Sequence, residues 1–113
     1  MTDFQVSAED LLAGASVIFD VTIPAQFIHP GANGQARTKD LVVQLRPLTI
    51  GAFQLIMKAA RQDAGLIPLL MIKEALVQPA LSLDQVRQLP LGLVNFLIAH
   101  IREISGLTEK KSP

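Results

Sequence analysis

A chain of 113 residues with no cysteine, no tryptophan, no tyrosine and only two histidines carries few groups for covalent or metal chemistry. Half of its residues are hydrophobic, and ten basic side chains balance ten acidic ones. The length sets one domain. The neutral balance argues against a nucleic-acid binder, which needs a basic surplus to displace counterions from phosphates. Without cysteine there are no disulfides, no thiolate chemistry and no cysteine-type zinc site, in agreement with a reducing cytosol. No run reaches the ~18–20 apolar residues that span a bilayer. The opening Met1-Thr2-Asp3-Phe4 lacks the basic flank and apolar core of a signal peptide. The expectation is therefore a cytoplasmic protein with no membrane partner. High hydrophobicity at zero net charge favours self-association.

In chain order, Ser7-Ala8-Glu9-Asp10-Leu11-Leu12 reads as a helix start, with Ser7 as N-cap and acids in the first turn. Gly14 is expected to end it. Ser16 to Ile23 alternates: Val17, Phe19, Val21 and Ile23 point one way, and Ser16, Ile18, Asp20 and Thr22 the other, the period-2 pattern of a half-buried strand. Pro24 to Asp40 holds Pro30, Gly31, Asn33 and Gly34 and reads as a long mobile connection. Leu41 to Arg46 is a second strand, with Leu41, Val43 and Leu45 on one face. A two-stranded ribbon is marginal alone and must lean on helices or on another chain.

The remainder reads as helical. Pro47 stops the strand and Thr49 caps a helix whose Ile50, Phe53, Ile56, Met57 and Ala60 share about a third of its circumference; Gly65 is expected to end it. From Leu66 to Val77 only Pro68, Lys73 and Glu74 interrupt an apolar run, read as a helix with Pro68 in its first turn that stops before Pro79. Ser82, Leu83, Val86 and Leu89 mark a short helix closed by Pro90. The last helix runs from Leu91 to Ser105, with Gly106 as its left-handed terminator and Leu107 as the apolar contact. The expected fold is α+β, mainly α: an N-terminal two-stranded β-ribbon with a long loop over 1–47, a bundle of about four helices over 48–107 that forms the core, and a frayed tail over 108–113.

Several apolar side chains project onto otherwise polar arcs. These are Leu91 and Ile98 on the last helix, Leu66, Leu70 and Val77 on the middle one beside Lys73 and Glu74, and Leu55 on the first, near Gln62 and opposite Phe53. Either the ribbon, loop or short helix buries them, or a partner helix or another subunit covers them as a stripe. Leu55, Leu66, Leu70, Val77, Leu91 and Ile98 are the candidate partner-binding residues.

Chemistry-bearing motifs are sparse. His29 falls in the long connection, and His100 projects toward the apolar side of the last helix. No HExxH spacing or histidine pair four apart suggests a metal. Glu9, Asp10 and Asp84 read as helix-start acids, and Asp63 as a surface residue at a helix end. Gly31-Ala32-Asn33-Gly34 lacks the phosphate-loop pattern. Arg37 and Lys39 read as solvated, and Lys110-Lys111 is too short for a polybasic anchor. No catalytic residue, cofactor or metal is expected.

Three stretches carry a family resemblance: Val43-Gln44-Leu45-Arg46-Pro47-Leu48-Thr49, then Glu74-Ala75-Leu76-Val77-Gln78-Pro79-Ala80-Leu81-Ser82, then Leu89-Pro90-Leu91-Gly92-Leu93-Val94-Asn95-Phe96-Leu97, with Ile104-Ser105-Gly106-Leu107 closing the last helix. In order and spacing the chain resembles the tail assembly chaperones of long-tailed bacteriophages and prophage-like particles. The front, Leu11-Leu12-Ala13-Gly14 and Ile23-Pro24, has the same look more weakly. The resemblance implies a non-enzymatic protein that binds the hydrophobic helical tape-measure protein, helps recruit tail-tube subunits and is absent from the finished particle. It also implies a longer form made by frameshifting in many members. Two other readings stay open: a structural head–tail or tail component retained in the particle, and a small helix-turn-helix regulatory or DNA-binding module, against which neutral charge and an apolar last helix count.

Overall fold

The computed structural model describes residues 5–28 and 40–107. His29, the glycine-rich stretch, Arg37, Lys39 and the expected tail over 108–113 lie outside the described residues.

The fold is α+β and mainly helical. Its described elements are α1 (Ala8–Leu12), a 3-10 turn (Ala13–Ser16), β1 (Phe19–Ile23), α2 (Ala25–Ile28), β2 (Leu41–Leu45), α3 (Ile50–Ala59), α4 (Leu66–Ala75), β3 (Leu76–Gln78), α5 (Leu83–Val86) and α6 (Leu91–Ile104). Ser7 caps α1 as expected: its Oγ accepts from the Asp10 amide at 3.1 Å while the Asp10 carboxylate accepts from the Ser7 amide at 3.0 Å. Gly14 does not end the segment, because the chain tightens into the 3-10 turn around it. That turn takes up Ser16, so the strand starts only at Phe19.

The expected two-stranded ribbon is in fact a three-stranded antiparallel sheet in the order β1-β2-β3. Val21 faces Val43 and Ile23 faces Leu41 across the first pair. The third strand comes from the end of the long apolar run. Leu76 has extended backbone as the C-cap of α4, and Pro79 biases the residue before it away from helix. Gln44 pairs with Gln78 and Leu45 with Leu76, so Val77 is the extra residue of a bulge. Arg46 extends this seam. Its amide donates to the Ala75 carbonyl at 2.9 Å, and its Nε donates to the Glu74 carbonyl at 3.2 Å. The guanidinium also pairs with the Glu74 carboxylate at 3.2 Å, both groups about half exposed.

The core is shared between sheet and helices and is not confined to the helical half. Leu45, Ile72, Val86 and Ile101, one from each of β2, α4, α5 and α6, are fully enclosed. Val21, Ile23, Val43 and Leu76 from the sheet join Met71, Leu93, Val94 and Leu97 around them. Among the described residues no charged or polar side chain is buried. The expected long connection contains a further element, α2. Phe27 stacks on Phe96 of α6 with ring centroids 4.9 Å apart, and Phe96 in turn meets His100 at 4.6 Å. His100 therefore belongs to an aromatic stack on the side of the core. Asp40 fastens the far end of the connection, accepting from the Ala25 amide at 3.1 Å.

Helix boundaries follow their caps. Thr49 Oγ1 accepts from the Ala52 amide at 3.1 Å and opens α3. This helix ends at Ala59, well before Gly65, which instead stands at the N-cap of α4. Asp63 shapes the turn between them by accepting from the Gly65 amide at 3.0 Å. Ser82 and Gln85 make a reciprocal capping box on α5. At the end of α6, Gly106 has φ 74°. Its amide donates to Glu103 and that of Leu107 to Arg102, at 3.2 and 2.8 Å, the two bonds of a Schellman terminator.

Candidate functional site

The surplus apolar surface gathers around α3. Of the three long helices it is the least enclosed: Ile56 is its single buried residue, joined by Ala60 just past its end. Phe53 is half-buried beside them. At 100° per residue, Ile50 and Met57 fall on one flank of this narrow buried face, and Ala52, Leu55 and Ala59 fall on the other. Ile50, Leu55 and Met57 are 72%, 68% and 43% exposed. Gly51, Gln54 and Lys58 complete the polar arc. Apolar character thus extends well beyond what the fold encloses.

Each flank borders a cleft. On one side Ala52, Leu55, Ile56 and Ala59 of α3 face Leu70, Lys73 and Glu74 of α4 across a cleft of about 190 Å³. A second depression of about 430 Å³ shares Ala59 with the first and is lined by Lys58, Arg61, Gln62, Asp63 and Leu66. On the other side, Leu48, Thr49, Ile50 and Phe53 meet Ser105 and Leu107 around about 310 Å³. That last cleft is built by the cap of one helix and the terminator of another: the Thr49 cap positions Ile50, and the Gly106 turn brings Leu107 back. Ser105 Oγ accepts from the half-buried Leu48 amide at 2.8 Å, tying its two walls together.

This bond is testable. Ser105→Ala leaves the Leu48 amide without that partner and is expected to cost about 1–2 kcal/mol, read as a lower denaturation midpoint in urea with an unchanged slope. A cost below a few tenths of a kcal/mol would mean the cleft walls are held independently of it.

Three of the six expected partner-binding residues, Leu55, Leu66 and Leu70, lie along the α3–α4 seam. Leu66 and Leu70 are half-buried, and Leu70 packs against the core. The other three lie elsewhere. Val77 is on β3, so helical projection places it wrongly, and the stripe with Leu66 and Leu70 is broken at Ala75. Ile98 packs against the core. Leu91 stands 74% exposed at the start of α6, outside the clefts around α3. Comparison with protein-family models, with curated proteins and with solved structures finds no match.

Ile50, Leu48 and Leu107 line one of these clefts and are not among the expected partner-binding residues. Ile50 and Met57 fall on the apolar arc of α3, and the width of that arc looked like the width of the buried face. The telling signal was the arc as a whole: with Leu55, Ala52 and Ala59 it covers well over half the circumference, too wide for one packed neighbour. Among the described residues no group of three His, Cys, Asp or Glu is placed to hold a metal ion, and no helix is long and apolar enough to cross a membrane. The arrangement offers apolar area with a charged rim from Lys58, Arg61, Lys73 and Glu74.

Proposed function

We propose that this chain is a non-enzymatic tail assembly chaperone of a bacteriophage or prophage-like particle. It holds apolar helices of the tape-measure protein against α3 and helps recruit tail-tube subunits. It acts in the bacterial cytoplasm and is left out of the finished particle. The observation that carries this reading is the pair of apolar flanks on α3, each beside an open cleft. An apolar helix laid into such a groove is a standard recognition mode, and each Leu- or Ile-sized side chain covered contributes about 1.5–3 kcal/mol. The order of residues from Val43 to Leu107, which resembles that of the tail assembly chaperones, supports the same reading and supplies the client.

Co-expression tests it. The tape-measure protein made alone is expected in the insoluble fraction, and made with this chain it is expected to stay soluble and co-purify. Finding this chain as a stoichiometric component of purified particles by mass spectrometry would overturn the chaperone reading in favour of a retained tail component.

A further inference from the structure

We propose that β1 pairs with β1 of a second copy of this chain, antiparallel about a two-fold axis at Val21. The two three-stranded sheets then become one continuous sheet of six strands. This goes beyond the chaperone reading and holds whatever the client is.

The sheet has two edges, and they differ. The β3 edge is three residues long and is followed by Pro79, which has no N–H to offer; shortness and proline are common protections of an edge. The β1 edge is five residues long, Phe19-Asp20-Val21-Thr22-Ile23, without proline, lysine or bulge. Among the described residues no strand pairs with its outer side. A cleft of about 610 Å³ between β1 and the last turns of α6 is lined by consecutive residues of both faces of the strand, Phe19 to Thr22, together with His100, Glu103 and Ile104. It therefore runs along the open edge.

The segment leading into β1 also lacks a seat. No described residue from 5 to 20 is buried, and Val6, Leu11, Leu12, Val17 and Ile18 are all exposed. A five-residue helix such as α1 is not stable by itself in water, even when capped.

The occupant is identified by self-complementarity. With the axis at Val21, Phe19 faces Ile23 of the second copy, Val21 faces Val21, and Asp20 faces Thr22. Phe19, Val21 and Ile23 then continue the apolar face of the sheet, and Asp20 and Thr22 its polar face. A slip by one residue would set the apolar face against the polar one. Moving the axis to Asp20 would set two carboxylates directly opposite, which is unfavourable. The axis at Val21 avoids both and pairs all five residues. A five-residue strand pair alone falls short of the ~1,200–2,000 Å² that stable interfaces bury. The exposed arms supply the remainder: continued antiparallel, Ile18 meets Pro24 of the second copy, and Val17 meets the start of its α2. The contact is isologous and closes at two copies.

The test is a charge swap across the axis, read by sedimentation equilibrium. The wild-type chain is expected to show a monomer–dimer equilibrium. T22D places carboxylates opposite Asp20 at two symmetric positions and is expected to weaken the dimer about tenfold. D20K combined with T22D restores opposite charges and is expected to restore the dimer. Backbone amides over 17–25 are expected to exchange more slowly as wild-type concentration rises, and this measurement decides by itself if T22D loses its fold. A wild-type chain that stays monomeric with no such protection overturns the proposal. So does a dimer indifferent to T22D, or a loss in folded T22D that D20K does not reverse.

Discussion

Ile101→Ala is expected to remove about 2–5 kcal/mol of stability. Ile101 is completely enclosed where α6 meets the rest of the core, so truncation loses the transfer free energy of the removed carbons and leaves a cavity. Domains of this size have roughly 5–15 kcal/mol in total, so the loss is a large share of the whole. Urea denaturation followed by circular dichroism measures it, as a lower midpoint at unchanged slope. Leu91→Ala on the same helix is the control. With Leu91 74% exposed, its change should stay within about 0.5 kcal/mol. Similar losses at both positions would mean that α6 faces the core differently.

The second large effect concerns function. Ile50→Glu with Leu55→Glu places one carboxylate on each flank of α3. Both side chains are mostly exposed, glutamate is a good helix former, and at Ile50 it stands in the first turn where negative charge is favoured. Stability should therefore change by no more than about 0.5 kcal/mol. Binding of an apolar helix should fall by more than about 100-fold: two buried apolar side chains are lost, and two carboxylates would have to be desolvated. In co-expression the tape-measure protein should return to the insoluble fraction while the variant stays folded. A folded double variant that still keeps the client soluble would move the binding surface away from α3.

Much of the architecture was legible because it is written in caps and breaks. Ser7, Thr49, Ser82 and Gly106 each sit where their local hydrogen bonding requires, and the alternation in β1 and β2 gives their paired faces. The third strand was not legible. Within Leu66–Val77 an apolar run reads equally as buried helix or buried strand, and only pairing with Gln44 and Leu45 decides that Leu76–Gln78 leaves the helix. The one-turn α2 was hidden in the same way, since Phe27 is ordered by its tertiary stack on Phe96. The candidate site was half legible. Leu55, Leu66 and Leu70 came from projection of single helices, which is sound within a helix and fails past its end, as at Val77. It also cannot see a cleft made by two segments far apart in the chain, such as the one joining Ile50 to Leu107.

The central claim, that α3 receives an apolar helix along its flanks, is tested most directly by nuclear magnetic resonance. The isotope-labelled chain would be titrated with a synthetic helical segment of its tape-measure protein. Saturable shifts are expected, concentrated at Ile50, Ala52, Leu55 and Ala59, with smaller ones at Leu66, Leu70 and Leu107. Saturable binding that leaves α3 and its clefts unshifted would contradict it.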